Sequence, residues 1–162
     1  MPASSRRRAR CGERAVSAGA AREAASISST KLESIAMKDI LSTAAAPSAI
    51  GPYSQGTAFG KLVFTSGQIP LDPVSGQVVA GGIEAQSRQA LENLKAVLQA
   101  GGSSTAQVLK TTCYLSEMAD FAAFNSVYAE YFASEAPARS CFSVKDLPRG
   151  VLVEVEAIAW RD

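Results

Sequence analysis

Arg139, Cys141, Glu154 and Glu156 are the side chains of this chain whose types and settings could do chemistry. Arg139 opens the run Arg139-Ser140-Cys141-Phe142-Ser143-Val144. Its period of two places Arg139, Cys141 and Ser143 on one face of a strand, and Ser140, Phe142 and Val144 on the other. A guanidinium is always charged and offers a planar fork of donors matched to a carboxylate. Two readings of Arg139 stand side by side: a structural arginine, exposed on an edge strand or ion-paired, and a clamp for a carboxylate ligand. Cys141 likewise reads as a reactive thiol whose pKa Arg139 lowers, or as a small buried residue. The glutamates lie in Val151–Trp160, where Val151, Val153, Val155, Ala157 and Ala159 make a small, β-branched face suited to packing under helices. Leu152, Glu154, Glu156, Ile158 and Trp160 share the other face. A solvent face seldom holds Leu, Ile and Trp, and a core face seldom holds two Glu. Such a mixture implies a surface covered by another subunit, with a polar site inside it.

The chain of 162 residues has no histidine. That removes Ser-His-Asp and Cys-His nucleophile systems and the usual zinc sites, so acid–base chemistry must run through Glu, Asp, Lys, Tyr, Cys or bound water. Cys11, Cys113 and Cys141 are odd in number and form no CxxC pair, which speaks against a disulfide framework and for a reducing compartment. No apolar run reaches the roughly eighteen residues of a membrane helix. Charge is unevenly spread. Residues 1–36 hold seven Lys/Arg against three Asp/Glu, whereas residues 37–162 hold nine against twelve. The acidic balance of the larger part argues against nucleic acid as the main partner.

The elements that must position these groups follow from periodicity. Residues 1–36 carry Arg6-Arg7-Arg8-Ala9-Arg10, much Ala and Ser and no aromatic residue, and read as a disordered extension. The composition fits either an organelle transit peptide or a stretch upstream of a true start at Met37. The expected compartment is the cytoplasm, or a mitochondrion or plastid if the segment is a transit peptide. A single domain is expected over 37–162. Strands are predicted over Lys38–Leu41, Ser54–Phe59 and Leu62–Ser66, the last two joined through Gly60-Lys61 as a hairpin. Glu84–Ala100 reads as a helix, with Ile83, Ala90, Leu91, Leu94, Val97 and Leu98 on one stripe and Gly101-Gly102 as its stop. A strand over Val108–Leu115 follows, in which Cys113 shares a core face with Leu109 and Leu115. A second helix spans about Met118–Phe132, with Phe121, Phe124, Val127, Tyr128 and Tyr131 as its stripe. Strands preceding and following helices without strict alternation imply an α+β domain with two helices on one sheet face.

Other candidates weigh less. Gly56-Thr-Ala-Phe-Gly60-Lys61-Leu62 has the wrong spacing and setting for a phosphate loop and reads as a hairpin turn. Ser66 lacks a nucleophile elbow and is expected to serve as a hydrogen-bonding group at a strand end. Tyr53 stands in the turn-rich Ile50–Gly56. Asn125 is a boundary residue of its helix or a site contact.

Gly51-Pro52-Tyr53-Ser54-Gln55, Phe64-Thr65-Ser66-Gly67-Gln68-Ile69-Pro70, Glu84-Ala85-Gln86 with Ala90-Leu91-Glu92-Asn93-Leu94, Pro137-Ala138-Arg139-Ser140-Cys141 and Val153-Glu154-Val155-Glu156-Ala157 occur in this order. Together they resemble the Rid (YjgF-type) family, specifically its RidA-type imine/enamine deaminases. The likeness runs through residues 37–162 and none of 1–36. It implies a chorismate-mutase-like α+β fold and a homotrimer with sites between subunits. The activity it implies is cofactor- and metal-free hydrolysis of 2-imino acids (2-iminopropanoate, 2-iminobutanoate) to 2-oxo acids and ammonia, sparing pyridoxal-phosphate enzymes from damage. By the resemblance Arg139 holds the substrate carboxylate and Glu154 positions water. Tyr53, Ser66, Gly67, Asn125 and the backbone at Cys141 then line the pocket. The family also implies an alternative: a trimeric binding or chaperone-like protein, or a ribonuclease or translation inhibitor.

Overall fold

The computed structural model describes residues 37–162; the extension read from residues 1–36 lies outside the described residues. Six strands form one mixed sheet: β1 (Asp39–Leu41), β2 (Gly56–Phe59), β3 (Leu62–Thr65), β4 (Val108–Leu115), β5 (Ala138–Ser143) and β6 (Val153–Trp160). Their spatial order is β1-β2-β3-β6-β4-β5, antiparallel throughout except for β4 and β5, which run parallel. Two helices, α1 (Ile83–Ala100) and α2 (Phe121–Tyr131), pack on one side. This is the expected α+β, chorismate-mutase-like architecture.

The periodicities place the core. Every member of the α1 stripe, Ile83, Ala90, Leu91, Leu94, Val97 and Leu98, is buried. So are Val153, Val155, Ala157 and Ala159 of β6, and all but Val97 fall in one hydrophobic cluster with Phe124, Val127 and Tyr128 of α2. Truncating a side chain such as Leu94 in a core of this density costs about 2–5 kcal/mol. β4, α2 and β5 form a parallel crossover unit, which brings the face of α2 over the first residues of β5.

One expectation needs adjusting. Leu109 is exposed and does not share the face of Cys113. The register shifts between Val108 and Lys110, and this bulge interrupts the alternation, so Thr111, Cys113 and Leu115 form the buried face. The Gly56–Leu62 stretch is the expected hairpin, with Gly60 at φ +58°, a conformation in which glycine carries no steric penalty.

Candidate active site

Sheet register decides which candidate residues can meet. Thr111 pairs with Arg139 on one side and Ala157 on the other, and both Thr111 and Ala157 are buried under the helices. Arg139 therefore points to the helix side. Tyr114 pairs with Phe142 and with Glu154, so Glu154 points to the open side. Within one chain the guanidinium and the carboxylate stand on opposite faces of the sheet.

On the helix side Arg139 is held by three groups from α2. Its Nη2 donates to Asn125 Oδ1 at 2.8 Å. Its Cζ lies 4.5 Å from the Tyr128 ring centroid and 5.5 Å from that of Phe121. These are cation–π distances. Phe121, Asn125 and Tyr128 recur at helical spacing, so a single face of α2 serves as a cradle. Tyr128 is itself fixed by a 2.8 Å hydrogen bond between its hydroxyl and Thr111 Oγ1. Burial raises the Tyr128 pKa, which keeps the ring neutral. Among the described residues, no carboxylate forms a salt bridge with Arg139. The cradle opens onto a cavity of about 400 Å³ lined by Asn125, Tyr128, Pro137 and Arg139.

On the open side a larger cleft of about 580 Å³ gathers Tyr53, Ser66, Gly67, Glu154 and Glu156, with Ile50, Ile69 and Pro148 as apolar walls. Pairing of β3 with β6 ends at Phe64–Ile158, Thr65 Oγ1 then accepts the Ala157 N–H, and Gln68 re-pairs with Val155. Ser66 and Gly67 lie between these ties. The Ser66 hydroxyl donates to the Ser54 carbonyl at 2.6 Å, leaving its oxygen free to accept. Gly67 lies so close to Glu154 that a Cβ built on it would stand 1.8 Å from Oε1. Burial first, and then the Glu156 carboxylate, push the Glu154 pKa above the ordinary 4.5, making it a better proton acceptor once ionised. Tyr114 donates to Glu156 Oε1 at 3.3 Å.

Cys141 sits on the helix face beside Arg139, in register with Cys113. Of its two readings, the small residue rather than the activated thiol agrees with the structure: burial raises its pKa from 9.0 and outweighs the guanidinium. Burial likewise pushes Cys113 up to about 12. Neither is a ready nucleophile. Among the described residues, no group of three or more His, Cys, Asp or Glu is set to hold a metal ion, and no helix is long and apolar enough to cross a membrane.

The open face also carries Leu62 beside Trp160 and Phe64 beside Ile158, all 38–40% exposed. Ile40 and Phe59 extend this band. Contiguous apolar surface of this kind on a sheet marks an interaction face.

Several residues build these sites in ways that their place in a motif or a stripe did not reveal. Phe121 and Tyr128 read as core, and only their spacing around the polar Asn125 hinted at a cradle. Gln86, Gln55 and Asn93 are buried amides whose partners are distant in sequence: Gln86 Oε1 accepts the Leu152 N–H, and Asn93 donates to the carbonyls of Ile69 and Leu71.

The sequence pattern described as endoribonuclease L-PSP, that of the YjgF/Rid family, matches residues 43–161, and the chain belongs to this family. A RutC family protein of Pyrococcus horikoshii is 51% identical over 126 residues, 78% of this chain and all of that protein. The mouse 2-iminobutanoate/2-iminopropanoate deaminase is 46% identical over 123 residues, 76% of this chain and 91% of its own. Among solved structures, Escherichia coli TdcF with bound serine superposes with a TM-score of 0.73 at 44% identity, covering 76% of this chain and 99% of TdcF.

Proposed function

We propose that this protein is a 2-iminobutanoate/2-iminopropanoate deaminase, acting as a homotrimer whose sites form where the helix side of one subunit meets the open cleft of the next. The observation that carries the reading is Arg139: a guanidinium fixed by Asn125, Tyr128 and Phe121, with no carboxylate of the described residues paired to it. Such a group is prepared for a carboxylate that arrives from outside. Its placement opposite Glu154 requires a second copy to complete the site, and the apolar band beside the cleft supplies a surface for that copy. The naming of the mouse relative supports the substrate class. Twelve acidic against nine basic residues over 37–162 disfavour a polyanion such as RNA.

Arg139 grips the substrate carboxylate with two parallel hydrogen bonds and fixes the planar imine across the cleft. The Glu154 of the adjoining copy orients a water and takes its proton as the oxygen attacks C2, and the same carboxyl passes that proton to the imine nitrogen, giving a carbinolamine. Glu154, ionised again, takes the hydroxyl proton and returns it to the amine as the C–N bond breaks, which releases ammonia and leaves the 2-oxo acid. General-base assistance of this kind contributes on the order of a hundred-fold or more. No step calls for a metal or cofactor.

The test is a competition assay. An amino-acid oxidase or threonine dehydratase generates the imine, semicarbazide traps it, and the protein competes with the trap. Wild type should lower the trapped product and Arg139→Ala should not. An Arg139→Ala protein as active as wild type would overturn the carboxylate clamp.

A further inference from the structure

The cleft on the open side depends on a loop, and one buried side chain holds that loop. Residues 42–55 connect β1 to β2 and carry Ile50 and Tyr53 to the cleft wall. Gln55, only 4% exposed, stands at the end of this loop. Its Nε2 donates to the carbonyls of Thr43, Ala46 and Pro47 at 3.0, 3.1 and 2.8 Å, and its Oε1 accepts the Thr43 N–H at 2.6 Å. One amide thus closes the start of the loop onto its end. The same residue ties the loop to the site floor, because its carbonyl accepts the Ser66 N–H at 2.9 Å, while Ser54 accepts the Ser66 hydroxyl. Gln55 also lines a small pouch beside the cleft with Tyr53 and Gly67.

We infer that Gln55 is a positioning residue for the reaction: its side-chain amide latches the 43–53 loop so that Tyr53 and Ile50 hold the cleft in its binding shape. The inference rests on the deaminase reading for its substrate, but the latch itself is a property of the fold. Without the amide, three carbonyls and one N–H lose their partner. The loop then spends most of its time open, and apparent affinity falls with the fraction of closed molecules. The sheet and the Arg139 cradle share no hydrogen bond with the Gln55 side chain and are left in place.

The experiment compares Gln55→Leu with wild type by hydrogen exchange of residues 43–54, by thermal melting, and by KM and kcat in the imine assay. The latch predicts faster exchange confined to the loop, KM raised on the order of ten-fold, and kcat within about two-fold. A merely structural role would lower the melting temperature and leave KM of the folded protein unchanged, which overturns the inference. Unchanged exchange overturns it as well. Should Gln55→Leu not fold, Gln55→Glu, which keeps an acceptor for Thr43 and faces a carboxylate to the three carbonyls, carries the same comparison. Failure of both to fold would make Gln55 a determinant of the fold rather than a latch. A wild-type protein with no imine hydrolysis would sink the functional reading alone, since loop exchange would still decide the latch.

Discussion

Replacing Gly67 by alanine probes the water-positioning role proposed for Glu154 without changing the glutamate itself. An added Cβ would lie 1.8 Å from Glu154 Oε1, 2.7 Å from Cδ and 2.9 Å from Cγ. Ordinary van der Waals contact begins near 3.4 Å, so the carboxylate must retreat by about 1.5 Å. Because Cδ and Cγ are also too close, the side chain has to change rotamer rather than bend. The backbone of Gly67 is not in the left-handed region, so alanine is tolerated there as backbone, and the cost to stability is that of one displaced side chain, about 0.5–1.5 kcal/mol. Misplacing a reacting group by about 1 Å costs on the order of a hundred-fold. Gly67→Ala should therefore lower kcat about a hundred-fold in the trapping assay while the melting curve shifts by only a few degrees. If the effect runs through Glu154, adding Gly67→Ala to Glu154→Gln should change little further. A Gly67→Ala enzyme with wild-type kcat, or a double variant showing the full product of both losses, would refute the reasoning.

The raised pKa of Glu154 gives a pH signature: in the proposed mechanism activity needs the ionised form, so kcat should fall as pH drops through a value above 4.5, and Glu154→Gln should lack that limb. The same shift has a stability consequence. A carboxyl whose pKa is higher folded than unfolded disfavours the native state once pH exceeds the unfolded value, and the full penalty persists above the folded value. Glu154→Gln should melt higher than wild type at neutral pH, with the difference fading toward pH 4; melting curves at both pH values check it. Cys141→Ser should retain activity within about three-fold in the trapping assay, because burial raises the thiol pKa and disfavours the thiolate; near-complete loss of turnover in that variant would assign the sulfur a chemical role.

The sequence made most of the fold legible where side chains repeat with the period of their element. The α1 stripe and the two unlike faces of Val151–Trp160 are cases in which composition and burial agree. Legibility failed where the deciding partner is far away along the chain. Leu109 was misplaced because a bulge, visible only against β6, interrupts the alternation of β4. Cys141 was left with two readings, because its charged neighbour Arg139 was visible in the sequence and the burial that outweighs it was not. For the candidate site, the residue types were legible and the motif order drew them together. The separation of Arg139 and Glu154 onto opposite sheet faces was not, since it needs the register of three strands. Nor was the work of Gln55, whose four hydrogen bonds span up to twelve residues of loop.

A site shared between copies can be tested by mixing two variants that each lack one half of it. Arg139→Ala and Glu154→Gln chains, each retaining about a hundredth of wild-type activity or less, can be unfolded, mixed in equal amounts and refolded together. If each site takes its arginine from one subunit and its glutamate from the next, random assembly restores both groups in about one site in four, and the mixture should recover about a quarter of wild-type imine hydrolysis. A mixture as inactive as its components, although size-exclusion and mass measurements show mixed assemblies, would contradict the shared site.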